Sequence, residues 1–316
     1  MKINKIKKTL ISLGVVLLTS VFFTSEAFPW GYATHAYIDD YIGKTKSSKN
    51  INEIYGGMAP DMFNYMFESP YLQDFYIATH YDFMKIWDTS KSSLEKSLAY
   101  GFVSHNDMWG VDYTAHHSGI TYGQTEGYVI AKSYILKQIL EQVPEYQALQ
   151  LPDPVALEIS HNLIESGVDI LMKRSDPLIG EKIVSSAIHR NPQFPDLLVK
   201  EYAEDFSTIS GISYPEAVNL IKTTEKAFRK TMILYGQALN QDETTAIQLI
   251  SEQTADLAEG FLVAYGITLP EGTDLTPLIT FAIQKTIEIC ADDFSYEIEA
   301  TINYVEQQMN ANGITY

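Results

Sequence analysis

A chain of 316 residues with 46% hydrophobic content can bury a substantial core, as one large domain or two smaller ones, and is too apolar for wholesale disorder. Its formal charge of −18 repels nucleic acid and anionic lipid at long range and favours cations. The single cysteine, Cys290, excludes an internal disulfide and lies in an apolar helical pattern that makes it a small buried hydrophobe.

Residues 1–27 open the chain with Lys2, Lys5, Lys7 and Lys8, continue with a mostly apolar run from Leu10 to Phe23, and close on Ser25-Glu26-Ala27. That order predicts a cleaved secretory signal peptide, and with it a secreted or periplasmic protein. The run is short for a spanning helix, which needs about 20 apolar residues. Cleavage after Ala27 would remove four lysines and one glutamate, taking the charge from −18 to −21.

The remainder reads as helix, so the expected class is all-α, a multi-helix bundle around a metal site. Residues 28–190 are expected to form a helical metal-binding catalytic region. Residues 191–316 are expected to add C-terminal helices, packed on the same domain as scaffold or partner surface. Ala131 to Val143 has apolar residues at three-and-four spacing and stops at Pro144. Pro154 to Met172 carries His161, Glu165 and Asp169 at steps of four. Residues 176–190 read as a shorter helix. Ser213 is placed to cap a helix through Leu239, with Pro215 in its first turn, and Asp242 opens another to Ala264. Thr276-Pro277 starts a last stretch, one helix or two, to Asn310. Loops are expected at 45–52, 119–126, 191–196 and 268–275.

The chemistry concentrates upstream. Residues 105–117 hold His105, Asp107, Asp112, His116 and His117; Trp30, His35, Asp61 and His80 precede them, and His161 and Glu165 follow. Six of the seven histidines fall in these groups, and only His189 stands apart. Residues four apart share a helix face, so Asp112 with His116, and His161 with Glu165, can each grip one metal ion. Imidazole and carboxylate donors without a cysteine cluster suit zinc, and adjacent ions need a bridging carboxylate. The pattern predicts a multinuclear metal site that hydrolyses a phosphate ester. Asp169 and Asp82 are placed to support ligands from behind.

In order, the chain shows Trp-Gly-x-x-Thr-His from Trp30, an aspartate after Gly-Gly-Met-Ala-Pro (Asp61), Thr-His at His80, Ser-His at His105 followed by Asp and His, and His-x-x-x-Glu at His161. Over residues 30–170 this resembles the bacterial zinc-dependent phospholipase C family, whose wider superfamily includes P1-type nucleases. The resemblance implies two to three zinc ions (Zn2+) and phosphodiester hydrolysis. It implies that His35 binds one ion, that Asp61, His80 and His105 bind a second, that Asp112 bridges the two, and that His116, His161 and Glu165 hold a third. Asp61 doubles as a candidate general base. A phospholipid of phosphatidylcholine type would be the substrate, with transient contact to a membrane surface; an aromatic pocket for its head group has Tyr65, Phe75, Tyr76 and Tyr81 nearby.

The chain departs from the family pattern in places. Four residues after His105 stands Trp109, so the central aspartate is Asp107 or Asp112; the spacing to His116 favours Asp112, and His117 is an alternative to His116. Trp30 supplies metal through its amine and carbonyl only if the chain is trimmed past Phe28-Pro29, and otherwise gives its carbonyl or nothing. The C-terminal third reads as helix, so the β-sandwich of toxin-like members is not expected. The competing readings are a P1-like nuclease or phosphomonoesterase, which the charge disfavours, and a non-enzymatic metal-binding protein.

Overall fold

Side-chain caps open three of the described α-helices, and proline in the first turn opens several others. The computed structural model describes residues 30–44, 50–66, 69–121, 125–270 and 272–316; the expected signal peptide, and Phe28-Pro29 after it, lie outside them. Among the described residues there are fifteen α-helices, one 3-10 helix and no strand. α1 (Tyr32–Ile42) and α2 (Ile51–Met58) lead through the 3-10 helix (Ala59–Met66) to α3 (Leu72–His80), α4 (Met84–Thr89), α5 (Ser93–His105) and the short α6 (Val111–His116). α7 (Tyr128–Leu140) and α8 (Pro144–Gln147) precede the long α9 (Asp153–Ser175). α10 (Ile179–His189), α11 (Phe194–Ser210), α12 (Tyr214–Leu239), α13 (Glu243–Ala264), α14 (Thr276–Cys290) and α15 (Phe294–Ala311) complete the chain. None of these helices is long and apolar enough to cross a membrane.

Ser92 and Glu95 form a reciprocal capping box at α5, satisfying two otherwise orphaned N–H groups. The Ser213 hydroxyl accepts from Glu216 N at α12, and the Asp242 carboxylate accepts from Thr245 N at α13. α11 was not expected from Phe194. The sequence 191–196 holds two prolines and reads as a loop, but Pro195 sits in the first turn of α11, where a missing N–H costs nothing. Phe194 is buried there between Tyr55 and Phe102. α11 ends at Gly211, whose φ of +67° suits glycine. The last stretch resolves into two helices. Asp293 at the turn between them accepts hydrogen bonds from Tyr128 Oη (2.6 Å) and Lys132 Nζ (2.6 Å) of α7, which fixes the break.

The buried apolar side chains form one continuous cluster from Trp30 to Ile314, so the C-terminal helices share the core of the upstream region. Cys290 is buried in it, and burial pushes its thiol pKa up to about 12, which leaves it an inert apolar filler. α2 and α5 cross with their backbones in close contact. A Cβ at Gly101 would lie 2.0 Å from the Glu53 carbonyl oxygen, so only glycine lets these backbones touch. This crossing delivers His105, four residues further along α5, against the end of α2.

Candidate metal centre

His105 is the last residue of α5 and is fully buried. Its Nδ1 lies 2.6 Å from the Gly57 carbonyl oxygen. A carbonyl only accepts, so Nδ1 carries the proton and the Nε2 lone pair faces inward. His80, ending α3, is held the same way. Its Nδ1 lies 3.2 Å from Tyr76 O and 2.8 Å from Thr79 Oγ1, and that hydroxyl donates to Phe75 O. The two Nε2 atoms come within 3.1 Å of each other. Two facing lone pairs repel unless a proton or a cation lies between them.

Carboxylates close the arrangement. Asp112 Oδ2 lies 2.9 Å from His105 Nε2 and 3.3 Å from His80 Nε2, while its Oδ1 lies 3.3 Å from His35 Nε2. Asp61 Oδ1, from the 3-10 helix, lies 3.5 Å from His105 and 3.7 Å from His80. The His35 ring, from α1, stacks on His105 with centroids 4.2 Å apart. On α9, His161 Nε2 meets Glu165 Oε1 at 2.6 Å.

Four donor sets result among the described residues: His35 with His105 and Asp112, Asp61 with His80 and His105, His116 with His161 and Glu165, and the more exposed Asp107 with His116 and His117, each with ligand atoms within 4.8 Å of one another. The first three are largely buried groups able to hold metal ions. Both Asp112 oxygens, both His35 nitrogens, Asp61 Oδ1 and Glu165 Oε1 are buried without a well-formed hydrogen bond. Buried carboxylates left this way are strongly unfavourable unless a cation answers them, so the residues fit a metal.

The electrostatics agree. Burial would lower the pKa of His80 and His105, but the Asp112 and Asp61 carboxylates outweigh it and raise both, His105 well above its usual value. Burial would raise Asp61 and Asp112, and the neighbouring histidines instead hold both below the usual carboxylate range. His35 is lowered, chiefly by burial and then by the His105 charge. Glu165 is raised well above its usual value by burial and by the charges of Asp61, Asp169, Glu158 and Asp112.

The structure separates alternatives that the sequence left open. Asp112 sits among three histidines, whereas Asp107 accepts from Tyr76 Oη (2.9 Å) and Tyr81 Oη (2.8 Å) and meets His116 Nδ1 and His117 Nε2 at 3.0 Å each. Asp107 thereby orients His116 from behind, and its pKa is lowered: burial opposes this, but the two histidines prevail. His116 joins His161 and Glu165, while His117 is half exposed with Asp107. Asp112 and His116, unlike His161 and Glu165 at the same spacing, fall in different sets: Asp112 turns to His35 and His105, and His116 to His161 and Glu165.

The Trp30 side chain is fully buried, with Nε1 donating to Thr114 Oγ1 (3.0 Å) and its ring stacked on Tyr128, so the indole packs while the ligand expectation rests on its backbone alone. Of the supporting aspartates, one expectation needs correction. Asp82 pairs with Lys85 at the surface and does not reach His80. Asp169 does support a ligand, though not its neighbour Glu165. It accepts from Ala33 N (2.8 Å), Thr34 N (2.9 Å), Thr34 Oγ1 (2.9 Å) and Tyr235 Oη (2.7 Å). It thus caps α1 from across the core and fixes His35. Burial raises its pKa to about 6 against those hydrogen bonds. A Cβ at Gly31 would come within 2.6 Å of this carboxyl, which is why the α1 entry is glycine. Asp169→Ala is expected to cost about 3 kcal/mol by orphaning several buried donors. It is also expected to lower metal content, both measurable by thermal unfolding and elemental analysis.

A cavity of about 290 Å³ adjoins the donor sets, and Asp61 and Glu165 form part of its wall. Trp30, Tyr32 and Tyr65 line one side; Thr231, Leu234 and Tyr235 of α12, Gln253, Leu257 and Phe261 of α13, and Ile279 of α14 line another. The C-terminal helices are therefore more than scaffold, because they shape the site. Of the four aromatic residues considered for a head-group pocket, only Tyr65 reaches the cavity. Phe75 packs on Phe206, Tyr76 stacks on His80, and Tyr81 bonds Asp107. No protein-family model, curated protein or solved structure matches this chain.

Proposed function

We propose that the chain is an exported, zinc-dependent phosphodiester hydrolase that cleaves a phospholipid to diacylglycerol and a phosphorylated head group. This is the activity implied by its motif resemblance to the bacterial zinc-dependent phospholipase C family. The observation that carries the reading is the group of His/carboxylate sets, two of them sharing His105 and two sharing His116, beside a largely apolar cavity. His35, His105 and Asp112, then Asp61 and His80, then His116, His161 and Glu165 would hold the ions, and an all-nitrogen-and-oxygen donor set suits zinc. Bound zinc would supply a nucleophile at neutral pH and neutralise charge on the phosphoryl oxygens. Asp61 is ionised at the cavity wall and stands ready to accept a proton from an attacking water, though its lowered pKa makes it a weak base. The apolar walls exclude bulk water and receive the uncharged part of a lipid-like substrate.

The test is hydrolysis by the purified, metal-containing protein of mixed phosphatidylcholine and phosphatidylethanolamine vesicles, single-stranded DNA and p-nitrophenyl phosphate. Release of phosphorylated head groups with no nucleotide release is expected. Cleavage of DNA or of the monoester alone would favour the nuclease or phosphomonoesterase reading. Full metal content without any hydrolysis would favour a metal-binding protein that is not an enzyme.

A further inference from the structure

α12 has a surface unlike the rest of the chain. The sequence carries 40 acidic side chains against 22 basic ones, yet the exposed positions of α12 from Asn219 to Gln237 include lysines and no carboxylate. Lys222 is paired with Asp196 of α11 at 2.7 Å. Lys226 and Lys230, both exposed, and the half-buried Arg229 have no ion pair or side-chain hydrogen bond among the described residues. By contrast, Arg174, Lys182 and Arg190, on or beside α9 and α10, are each paired with a carboxylate. Residues four apart share a helix face, so Lys226, Lys230 and Leu234 form one row with steps of about 6 Å along the axis. The row ends at the cavity. Leu234 lines it and is 45% exposed, and Leu257 of α13, another lining residue, is 37% exposed.

We propose that Lys226, Arg229 and Lys230, with Leu234 and Leu257, seat the protein on an anionic lipid surface with the cavity turned to the bilayer. The choice of a bilayer as partner rests on the proposed lipid-cleaving reading, while binding itself needs no turnover. Unpaired cations meet lipid phosphates, and exposed leucines beside them enter the boundary with the acyl chains. Single-stranded nucleic acid would use the cations, but its bases stack on aromatic rings, and the exposed residues at this edge are leucines. The charge of −18 opposes approach from a distance, yet at about 0.1 M salt it is screened beyond about 10 Å, so the face presented decides contact. The exposed carboxylate in the cavity lining, Asp256, lies on α13, which makes α12 the side that meets the anionic surface.

The test is sedimentation of the full, metal-containing protein with vesicles of phosphatidylcholine alone or of phosphatidylcholine with phosphatidylglycerol. Binding to the mixed vesicles is expected to be tighter and to weaken as salt rises. A cation near an anionic surface contributes about fivefold, so Lys226→Gln with Lys230→Gln should weaken that binding about 25-fold. Lys91→Gln, at an exposed lysine in the turn before α5, removes a charge from another place and should bind as the parent does. Failure to bind mixed vesicles, unchanged binding by the double variant, or an equal loss in Lys91→Gln would overturn the proposal. So would binding of single-stranded DNA, in place of vesicles, that the double variant loses. Vesicle binding with the expected losses but no hydrolysis would keep the docking face and sink the hydrolase reading. Vesicle hydrolysis as fast in the double variant as in the parent, with binding unchanged, would do the reverse.

Discussion

Asp112→Asn is expected to remove at least one metal ion per molecule and to lower phosphodiester hydrolysis by about a thousandfold or more. Loss of a group that only orients a ligand costs about 10- to 100-fold in affinity or activity. Asp112 does more, because its two oxygens lie 2.9–3.3 Å from the Nε2 atoms of three histidines. Asparagine keeps the shape of the side chain, removes its charge, and points N–H donors at nitrogens whose lone pairs already face inward. The core around α6 should tolerate the change, so far-ultraviolet circular dichroism should be unaltered while metal analysis and turnover fall together. Metal content equal to the parent protein would mean that Asp112 does not hold the ions, and the multinuclear reading would lose its centre.

Stripping the metal with a chelator is expected to lower the melting temperature by about 10 °C or more, and the drop should widen as pH rises from 6 to 8. An ion bound at about a thousand times its dissociation constant stabilises by about 4 kcal/mol, and a chain of this size shifts by about 2–4 °C per kcal/mol. The pH trend follows from the metal-free site. The folded-state pKa values of His80 and His105 are raised, so their stabilising contribution is complete below about 6.5 and is lost as pH rises through the folded values. Glu165 acts in the same sense: its folded pKa is raised, so ionising it at higher pH costs stability. His35 opposes them, since its lowered pKa gives stability that is lost as pH falls. Metal binding runs the other way from the majority, because protons compete for the same donors and affinity grows with pH. Melting curves of loaded and stripped protein at pH 6, 7 and 8 check both parts. A gap that is absent, or that narrows towards pH 8, would contradict the site as drawn.

Much of this architecture was legible in the sequence, for local reasons. Ser213 with Pro215, Asp242, and the four-residue rhythm of His161, Glu165 and Asp169 are signals written within one or two turns of chain, and the helices start and run as they indicate. The histidines and acids that meet in space could be selected because six histidines within the first 161 residues, interleaved with Asp61, Asp107, Asp112 and Glu165, are hard to explain as decoration. What was hidden depends on partners far along the chain. Pro195 reads as a breaker until Phe194 is seen filling a slot between Tyr55 and Phe102. Asp169 lies near Glu165 in sequence but turns to α1, some 135 residues away. The wall that α12 and α13 give the cavity left no trace, because an amphipathic helix advertises that it has a buried face without saying what that face covers.

The tie made by Asp169 also sets an order of assembly. Every proposed ligand has been synthesised once the chain reaches Glu165, yet the carboxylate that holds α1 in place is itself secured by the hydroxyl of Tyr235. A growing or refolding chain therefore brings together α1 and a helix made some two hundred residues later to complete the tie that fixes His35. Such long-range closure is slow compared with forming the individual helices. The site is a late product of folding, and a polypeptide truncated after α11 would contain all of its donors while lacking the last contact that aligns them.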